Sequence, residues 1–298
     1  MKSAACALLV AGAAHAEAPR TTPQRIEVDR DAAPGGRVGL GFDAGEPVAA
    51  WGVSAAAGWL ERPVRLGAGD LGPGTAASDP VRRRETLALG GAIAVGDSLT
   101  LDATVRGGHQ VGDRLAAAGD PARLARFVFE DVRLGGRIRV VGDDARAALI
   151  RADVTIPSGD DQQLAGDARW TAAWSLIGRL TLGDVVIAAT AGVRLRGAEV
   201  AVGDHLIGDE LFGAAGASVA VGPAGALGPA QLSVAVLGAL GDDVGARSAP
   251  SPVEARLGAM VQPQAELAVG VQLGAGLGDQ IGAPRLRVLL AIAWAPVL

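Results

Sequence analysis

The stretch SLTLDATVRGG, residues Ser98–Gly108, alternates apolar side chains with polar or very small ones. Successive side chains of a β-strand point to opposite faces of a sheet. One face of this segment would therefore carry Leu99, Leu101, Ala103 and Val105. The opposite face would carry Thr100, Asp102, Thr104 and Arg106. The segment predicts a β-strand with one apolar face and one face of polar or small side chains.

The same alternation recurs along the chain in about twelve segments, each close to the length of a tilted strand that crosses a bilayer. The predicted strands are Val48–Leu60, Arg84–Val95, Ser98–Gly108, Asp131–Val141, Ala145–Ile156, Asp167–Leu180, Asp184–Arg196, Asp209–Val221, Pro229–Leu240, Ser251–Val261, Ala265–Gly274 and Pro284–Trp294.

Short and long connections alternate between these segments. Gly96-Asp97 and Gln262–Gln264 are short, whereas Glu61–Arg83 and His109–Glu130 are long. Short periplasmic turns and long outer loops are typical of outer-membrane barrels. We therefore predict an all-β, transmembrane, antiparallel up-and-down barrel. The alternative is a secreted soluble β-sandwich that binds a ligand or partner, but its polar face would be bulkier, with lysine and glutamate.

The N-terminus predicts an export signal. Lys2 is followed by the apolar run Ala4–Ala14, and Ala14-His15-Ala16 matches a small-x-small cleavage site. We expect residues 1–16 to be a signal peptide, 17–47 a periplasmic extension with a short strand at Arg37–Phe42, and 48–298 the barrel. The expected location is the outer membrane of a Gram-negative cell, after cleavage near Ala16.

Composition excludes several classes of protein. The formal charge of -5 argues against a nucleic-acid binder, which normally has a basic excess. The 44 glycines disfavour long helices, since glycine costs about 1 kcal/mol relative to alanine inside a helix. Cys6, the single cysteine, lies in the predicted signal peptide. We therefore expect no disulfide and no cysteine metal site in the mature chain.

Four stretches carry a resemblance to a known family. They are RIEVDR at Arg25–Arg30, PSGDD at Pro157–Asp161 through Ala165-Gly166-Asp167, IGDEL at Ile207–Leu211, and GLGD at Gly276–Asp279 through GAPRLRV at Gly282–Val288. Over roughly Gln24–Trp294 the chain resembles the N-terminal barrel domain of outer-membrane protein A family proteins of the myxobacterial type. A weaker similarity runs to barrels described as transporters in phenol-degradation clusters.

The resemblance implies a membrane-embedded barrel. In that family the barrel usually precedes a calcium-binding repeat linker and a periplasmic peptidoglycan-binding domain. The sequence given ends at Leu298, directly after the last predicted strand, so we expect no peptidoglycan anchoring from these residues.

No residue pattern predicts catalysis, a cofactor or a metal site. His109 and His205 fall in predicted loops with no serine nucleophile motif nearby, which disfavours a barrel enzyme. Gly-Asp pairs at 142–143, 159–160 and 241–242 suit turns as well as calcium, and their spacing matches no EF-hand loop.

The predicted lumen is the candidate site, and its arginines outnumber its carboxylates. The residues predicted to line it are Asp102, Arg106, Arg133, Arg137, Arg139, Arg151, Asp153, Arg169, Arg179, Arg194, Arg196, Glu210, Glu254, Arg256, Glu266, Arg285 and Arg287. Two interpretations stay open: a structural network of arginine–carboxylate pairs, and a narrow small-solute passage biased toward anions.

The expected partners follow from the predicted membrane location. They are outer-membrane lipid, lipopolysaccharide and the barrel-assembly machinery. We expect a monomer that binds no nucleic acid.

Overall fold

The chain forms one closed antiparallel sheet in a computed structural model. The structure describes residues 50–66, 78–112, 124, 126–143, 145–159, 164–167, 169–202, 205–241, 251–278 and 282–295. Within these residues thirteen strands belong to the sheet, but two of them, β4 and β5, share one position beside β3. The result is a twelve-stranded antiparallel barrel, as the alternation predicts.

The strands are β1 (Trp51–Leu66), β2 (Ser78–Val95), β3 (Leu99–Val111), β4 (Phe127–Phe129), β5 (Val132–Gly142), β6 (Arg146–Ile156), β7 (Thr171–Leu182), β8 (Val185–Arg196), β9 (Val200–Val202), β10 (His205–Ile207), β11 (Glu210–Pro223), β12 (Pro229–Gly241), β13 (Val253–Gln264), β14 (Leu267–Gly276) and β15 (Leu286–Trp294). A single 3₁₀ turn, Gly225–Leu227, connects β11 and β12.

The first and last strands close the barrel. β1 pairs with β2 on one side and with β15 on the other, so Ala56 lies between Ala88 and Ala291. Closure removes the two free edges that an open sheet would have. It thereby lets backbone N–H and C=O groups be satisfied where no water reaches them.

Some strand ends differ from the prediction. β1 and β2 extend into the predicted loop Glu61–Arg83. β1 continues to Leu66, β2 begins at Ser78, and the two strands remain paired there as a hairpin. The small hairpin β9–β10 lies in a segment predicted as a loop, and it contains His205. His109 is likewise in a strand, β3, and not in a loop. The predicted signal peptide, the extension 17–47 and the strand Arg37–Phe42 lie outside the described residues.

The two faces of the sheet differ sharply. Exposed apolar side chains cover the outside, for example Leu87 at 54% and Leu176 at 65% of full exposure. Inward positions of the same strands are buried or half-buried. A soluble sandwich would bury its apolar face between two sheets, so the exposed apolar wall excludes that alternative and suits contact with hydrocarbon.

Tryptophans lie toward both ends of the barrel. Trp51 and Trp294 pack edge to face near the short turns, with ring centroids 4.9 Å apart. Trp59, Trp170 and Trp174 lie nearer the long loops. Aromatic side chains at the two membrane interfaces are typical of such barrels.

The tight turn after β5 shows how local sequence sets a connection. Gly142 has a φ of 102°, and a Cβ there would lie 1.9 Å from the carbonyl oxygen of Arg146. Asp143 Oδ1 accepts the N–H groups of Ala145 and Arg146, which lowers the pKa of this carboxyl. The lowered pKa means that the turn gains stability from ionised Asp143 above its ordinary pKa and loses that stability as the pH falls.

The described residues contain no helix with the length and apolarity needed to span a membrane.

The apolar outer wall gives a depth-dependent prediction. We expect Leu176→Arg, in the middle of β7, to lower the free energy of unfolding by about 2–4 kcal/mol in lipid bilayers. The control is Leu182→Arg at the end of the same outward row, where we expect about 0–1 kcal/mol. Denaturant unfolding of the barrel in vesicles measures both, and equal costs at the two positions would contradict a membrane-spanning wall.

Candidate functional site in the barrel lumen

Most residues predicted to line the lumen lie on the inward face of their strands. Their alternation with exposed apolar neighbours places them there. These residues are Asp102, Arg106, Arg133, Arg137, Arg139, Arg151, Asp153, Arg179, Arg194, Arg196, Glu210, Glu254, Arg256 and Arg287.

Three predicted lumen residues do not lie on strands. Arg169 is exposed and precedes β7, which begins at Thr171. Glu266 is in the turn between β13 and β14. Arg285 precedes β15, has a side chain that is 61% exposed, and lies 3.9 Å from Glu61 Oε1. The predicted strands start too early at these three positions, because alternation does not reveal where a strand gives way to its connection.

The first buried ion-pair cluster centres on Glu254 of β13. Its side chain is fully buried, and its Oε1 accepts 2.8 Å hydrogen bonds from Arg256 Nε and from Arg287 Nε of β15. The second carboxylate oxygen accepts longer bonds from the Nη2 groups of the same two arginines. One carboxylate is thus held between two guanidinium groups, the strong charge-assisted arrangement that arginine favours.

A second cluster lies among β3, β5 and β6. Arg151 donates from Nη1 and Nη2 to the two oxygens of Asp102 at 2.9 Å and from Nε to both oxygens of Asp153. Arg133 Nε approaches Asp153 at 3.9 Å. Here two carboxylates compensate the guanidinium group of Arg151.

Each cluster spans an inward-facing glycine on the strand between its members. A Cβ at Gly274 of β14 would lie 2.3 Å from Glu254 Oε1. A Cβ at Gly135 of β5 would lie 2.4 Å from Arg151 Nη2 and 2.8 Å from Asp102 Oδ1. The missing side chains therefore provide the space in which charged groups from the two flanking strands meet.

A third group of charges lies near the long-loop end. Arg196 of β8 donates to Asp167 Oδ1 at 3.0 Å and to Glu210 Oε2 of β11 at 3.3 Å. Arg194, two residues earlier, also contacts Glu210, and its guanidinium carbon lies 5.8 Å from the centre of the Phe212 ring. This group joins the barrel wall to the connection that contains Asp167.

Part of the connection between β6 and β7 is buried inside the barrel. Leu164 and Ala165 are 2% and 0% exposed. Arg84 of β2 donates from Nη2 to the Leu164 carbonyl at 2.7 Å, and its Nε and Nη2 also reach Gln110 Oε1. Since β2 is separated from β6 by two strand positions, the connection reaches across the inner wall.

Asp131 holds the two ends of that connection. Its Oδ1 accepts the N–H groups of Ser158 and Gly159, at 3.0 and 2.7 Å. Its Oδ2 accepts the N–H of Asp167 at 2.6 Å. A single buried carboxylate thus satisfies backbone donors of a segment that leaves the sheet.

A β-bulge directs Asp131 and Glu130 inward. Thr104 pairs with Arg133, and Gly107 pairs with Phe129. From the first pair to the second, β3 advances by one residue fewer than the β4–β5 segment does. The β4–β5 segment therefore carries one extra residue opposite β3. An extra residue of this kind changes the direction of side chains and is common near functional sites. Both Glu130 and Asp131 are consequently buried.

Sequence reasoning missed Arg84, Gln110, Glu130, Asp131 and Asp167 as inner residues. Alternation could have found Arg84, which shares its face of β2 with Thr86 and Ala88. It could not have found the bulge or the buried connection, because neither follows the period of a regular strand.

Other inward positions are small or apolar. Ala188, Ala214, Ala235 and Leu237 form one buried contact cluster. Ala147, Leu149 and Ile177 form another. Within the described ranges, no three histidine, cysteine or acidic side chains gather in a way that could hold a metal ion.

The fold is similar to that of solved outer-membrane barrels. The COG4313 outer membrane channel from Pseudomonas putida F1 matches with a TM-score of 0.59 at 15% identity, over 84% of this chain and 96% of that one. A NanC porin matches with a TM-score of 0.53 at 6% identity, over 83% of this chain and 100% of that one. At these identities the likeness shows the fold alone. No family model and no curated protein matches the sequence.

The two glycines give a matched test of the ion-pair clusters. We expect Gly274→Ala and Gly135→Ala each to lower the free energy of unfolding by about 1–3 kcal/mol, because the new methyl group displaces a buried charge from its partners. Gly178→Ala is the control, since a Cβ there would meet nothing within 4 Å. Denaturant unfolding in vesicles measures the three variants. A neutral effect at both inward glycines would contradict the packing described.

Removal of one carboxylate tests the first cluster directly. We expect Glu254→Gln to destabilise the barrel by about 3–5 kcal/mol, because Arg256 and Arg287 would remain buried without their counter-charge. Glu61→Gln, at the partly exposed contact with Arg285, should change stability by less than about 1 kcal/mol. Equal effects in the same unfolding assay would show that Glu254 does not compensate the two arginines.

Proposed function

We propose that this protein is an outer-membrane channel that passes small solutes through a narrow lumen. The observation that carries the proposal is the division of one closed sheet into an apolar outer wall and an inner wall with charged side chains. A barrel of this size lies between small barrels that side chains fill and wide porins that conduct freely. The two structural neighbours, an outer membrane channel and a porin, support the proposal.

The proposed location is the outer membrane, reached after cleavage of residues 1–16. We further propose a monomer surrounded by outer-membrane lipid and lipopolysaccharide and inserted by the barrel-assembly machinery. Membership of the outer-membrane protein A family stays a prediction from the sequence. So does the absence of enzymatic activity.

Anion bias is the finer part of the proposal. Arg179 of β7 faces inward near the short turns, and no carboxylate in the described part of the chain forms an ion pair with it. A fixed positive charge in a narrow passage raises the local concentration of anions. At other inward positions, by contrast, carboxylates compensate Arg151, Arg196 and Arg287.

A second candidate is a structural barrel without solute flow. The burial of Leu164, Ala165, Leu237 and Ala235 inside the barrel favours it, because a wide water-filled lumen would leave such side chains accessible. The distinction between the two candidates is whether the lumen conducts.

Planar-bilayer recording tests the proposal. We expect discrete conductance steps and, under a KCl gradient, a reversal potential that favours chloride. Arg179→Gln should reduce that preference. The control is Arg146→Gln, which removes the same charge from an exposed position. Arg146 pairs with Leu180, the residue that follows Arg179. This substitution should leave the chloride preference unchanged.

The outcomes separate the candidates. No conductance from a folded, heat-modifiable barrel would reject the channel and leave the structural role. Strong cation selectivity, or equal effects of Arg179→Gln and Arg146→Gln, would reject the anion bias alone.

A further inference from the structure

A short segment of the connection between β6 and β7 is held by two strands that lie far apart in the barrel. At one end of residues 164–167, the Leu164 carbonyl oxygen accepts a 2.7 Å hydrogen bond from Arg84 Nη2 of β2. At the other end, Asp167 Oδ1 accepts a 3.0 Å hydrogen bond from Arg196 Nη1 of β8. We call Arg84, residues 164–167 and Arg196 the inner bridge.

The inner bridge runs through the interior of the barrel. The positions of β3, β5, β6 and β7 separate β2 from β8, so the two strands lie almost on opposite sides of the ring. Along the wall, five steps between neighbouring strands cover about 24 Å. Residues 164–167 extend over at most about 11 Å. The bridge therefore needs the two inward-pointing arginine side chains to reach both strands.

The residues of the inner bridge are buried. Leu164 and Ala165 are 2% and 0% exposed, and the side chains of Asp167 and Arg196 are 8% and 4% exposed. The inner wall thus packs closely around the bridge. A solute that crosses the barrel at this level has to pass beside it.

The backbone of Leu164 is strained. Its φ is 62°, in the left-handed region that residues other than glycine seldom adopt. Such a conformation persists where the surrounding structure fixes it, and it is common at functional sites. Here Arg84 fixes the Leu164 carbonyl, and Asp131 fixes the N–H of Asp167 three residues later. The bridge is therefore held in one place at both ends.

Asp131 closes the base of the connection that carries the bridge. Its carboxylate accepts the N–H groups of Ser158, Gly159 and Asp167. A Cβ on Gly166 would lie 2.8 Å from Asp131 Oδ1 and 2.9 Å from the Cα atom of Gly159. The two ends of the connection therefore pass each other in direct contact beside one carboxylate.

We propose that the inner bridge is a fixed constriction which sets the size limit for solutes, and that Asp131 is the residue that positions it. Asp131 acts through its hydrogen bonds to the backbone and need not touch a solute. The proposal rests on the proposed channel function. Loss of the Asp131 carboxylate releases both ends of the connection, so the bridge no longer obstructs the lumen and the passage widens.

Single-channel recording and liposome swelling test the constriction. Asp131→Ala should raise the conductance about twofold or more, because conductance grows with the diameter of a pore. Vesicle swelling in glucose, sucrose and raffinose should show that the variant admits a larger sugar than the unchanged protein. The matched control is Asp143→Ala, which removes a carboxylate that accepts two backbone N–H groups in the exposed turn after β5. It should change neither measurement.

Thiol labelling tests the position of the bridge independently of conduction. The chain without residues 1–16 contains no cysteine, so Ala165→Cys places a single thiol at a fully buried position. In detergent micelles a water-soluble maleimide should label this thiol slowly. Adding Asp131→Ala should accelerate labelling by about tenfold or more, because the hydrogen bonds of a charged group no longer hold the connection. Adding Asp143→Ala should leave the rate unchanged.

A second variant keeps the test decisive if Asp131→Ala does not fold. The methyl group of Gly166→Ala would lie too close to both Asp131 and Gly159, so it should separate the two ends of the connection. We expect the same increases in conductance, sugar limit and labelling rate. The control is Gly178→Ala, where a Cβ would meet nothing within 4 Å.

The outcomes separate this proposal from the channel itself. If the unchanged protein conducts and folded Asp131→Ala keeps its conductance, sugar limit or slow labelling, the constriction is overturned and the channel stands. If only Asp131→Ala conducts, the constriction is supported and conduction by the unchanged protein is rejected. If neither conducts, both proposals are rejected. Equal effects of Asp131→Ala and Asp143→Ala would also overturn the constriction.

Discussion

Hydrogen bonding of the backbone is the constraint on which this structure depends. In hydrocarbon each unpaired N–H or C=O group costs several kcal/mol, so a sheet can cross a membrane only if its first and last strands meet. Here β15 pairs with β1 from Val53–Trp294 to Glu61–Leu286. Once the sheet is closed, the alternation of side chains gives every strand one surface toward lipid and one toward the lumen. Both the apolar outer wall and the inner charged groups follow from that division.

The lumen accommodates buried charge because glycines lie between the strands that carry the arginines and the carboxylates. Gly135 and Gly274 lie between strands whose charged groups could not otherwise meet. Taking charges out of water is expensive, and pairing offsets this cost only when the geometry is good and hydrogen bonds are satisfied. The double contacts of Glu254 with Arg256 and Arg287 meet that condition. Asp131 likewise accepts hydrogen bonds from backbone N–H groups, and it thereby holds part of the connection between β6 and β7 inside the barrel.

Regular periodicity made the barrel predictable from the sequence, whereas local departures from it were not predictable. Strand number, the inward face of Arg151 or Glu254, and the alternation of short and long connections all follow from side-chain period and turn residues. The bulge that turns Glu130 and Asp131 inward has no such signal, because one inserted residue looks like ordinary sequence. Nor does alternation reveal that Arg84 would contact Leu164, which is distant in sequence. The predicted strands include Arg169, Glu266 and Arg285, which the structure places just before β7, β14 and β15, because polar residues at a strand end suit a connection equally well.

The accessibility of single sites along β3 tests the central claim most directly. Cys6 is the only cysteine, so the chain without its first sixteen residues allows single cysteines to be spin-labelled without background. Labels at Leu101, Ala103 and Val105 should collide with oxygen dissolved in the bilayer and be protected from a water-soluble nickel reagent. Labels at Thr100 and Thr104, which face inward, should be much less accessible to bilayer oxygen. Outward labels that the aqueous reagent reaches as readily as it reaches free label, or accessibility without a two-residue period, would contradict the account.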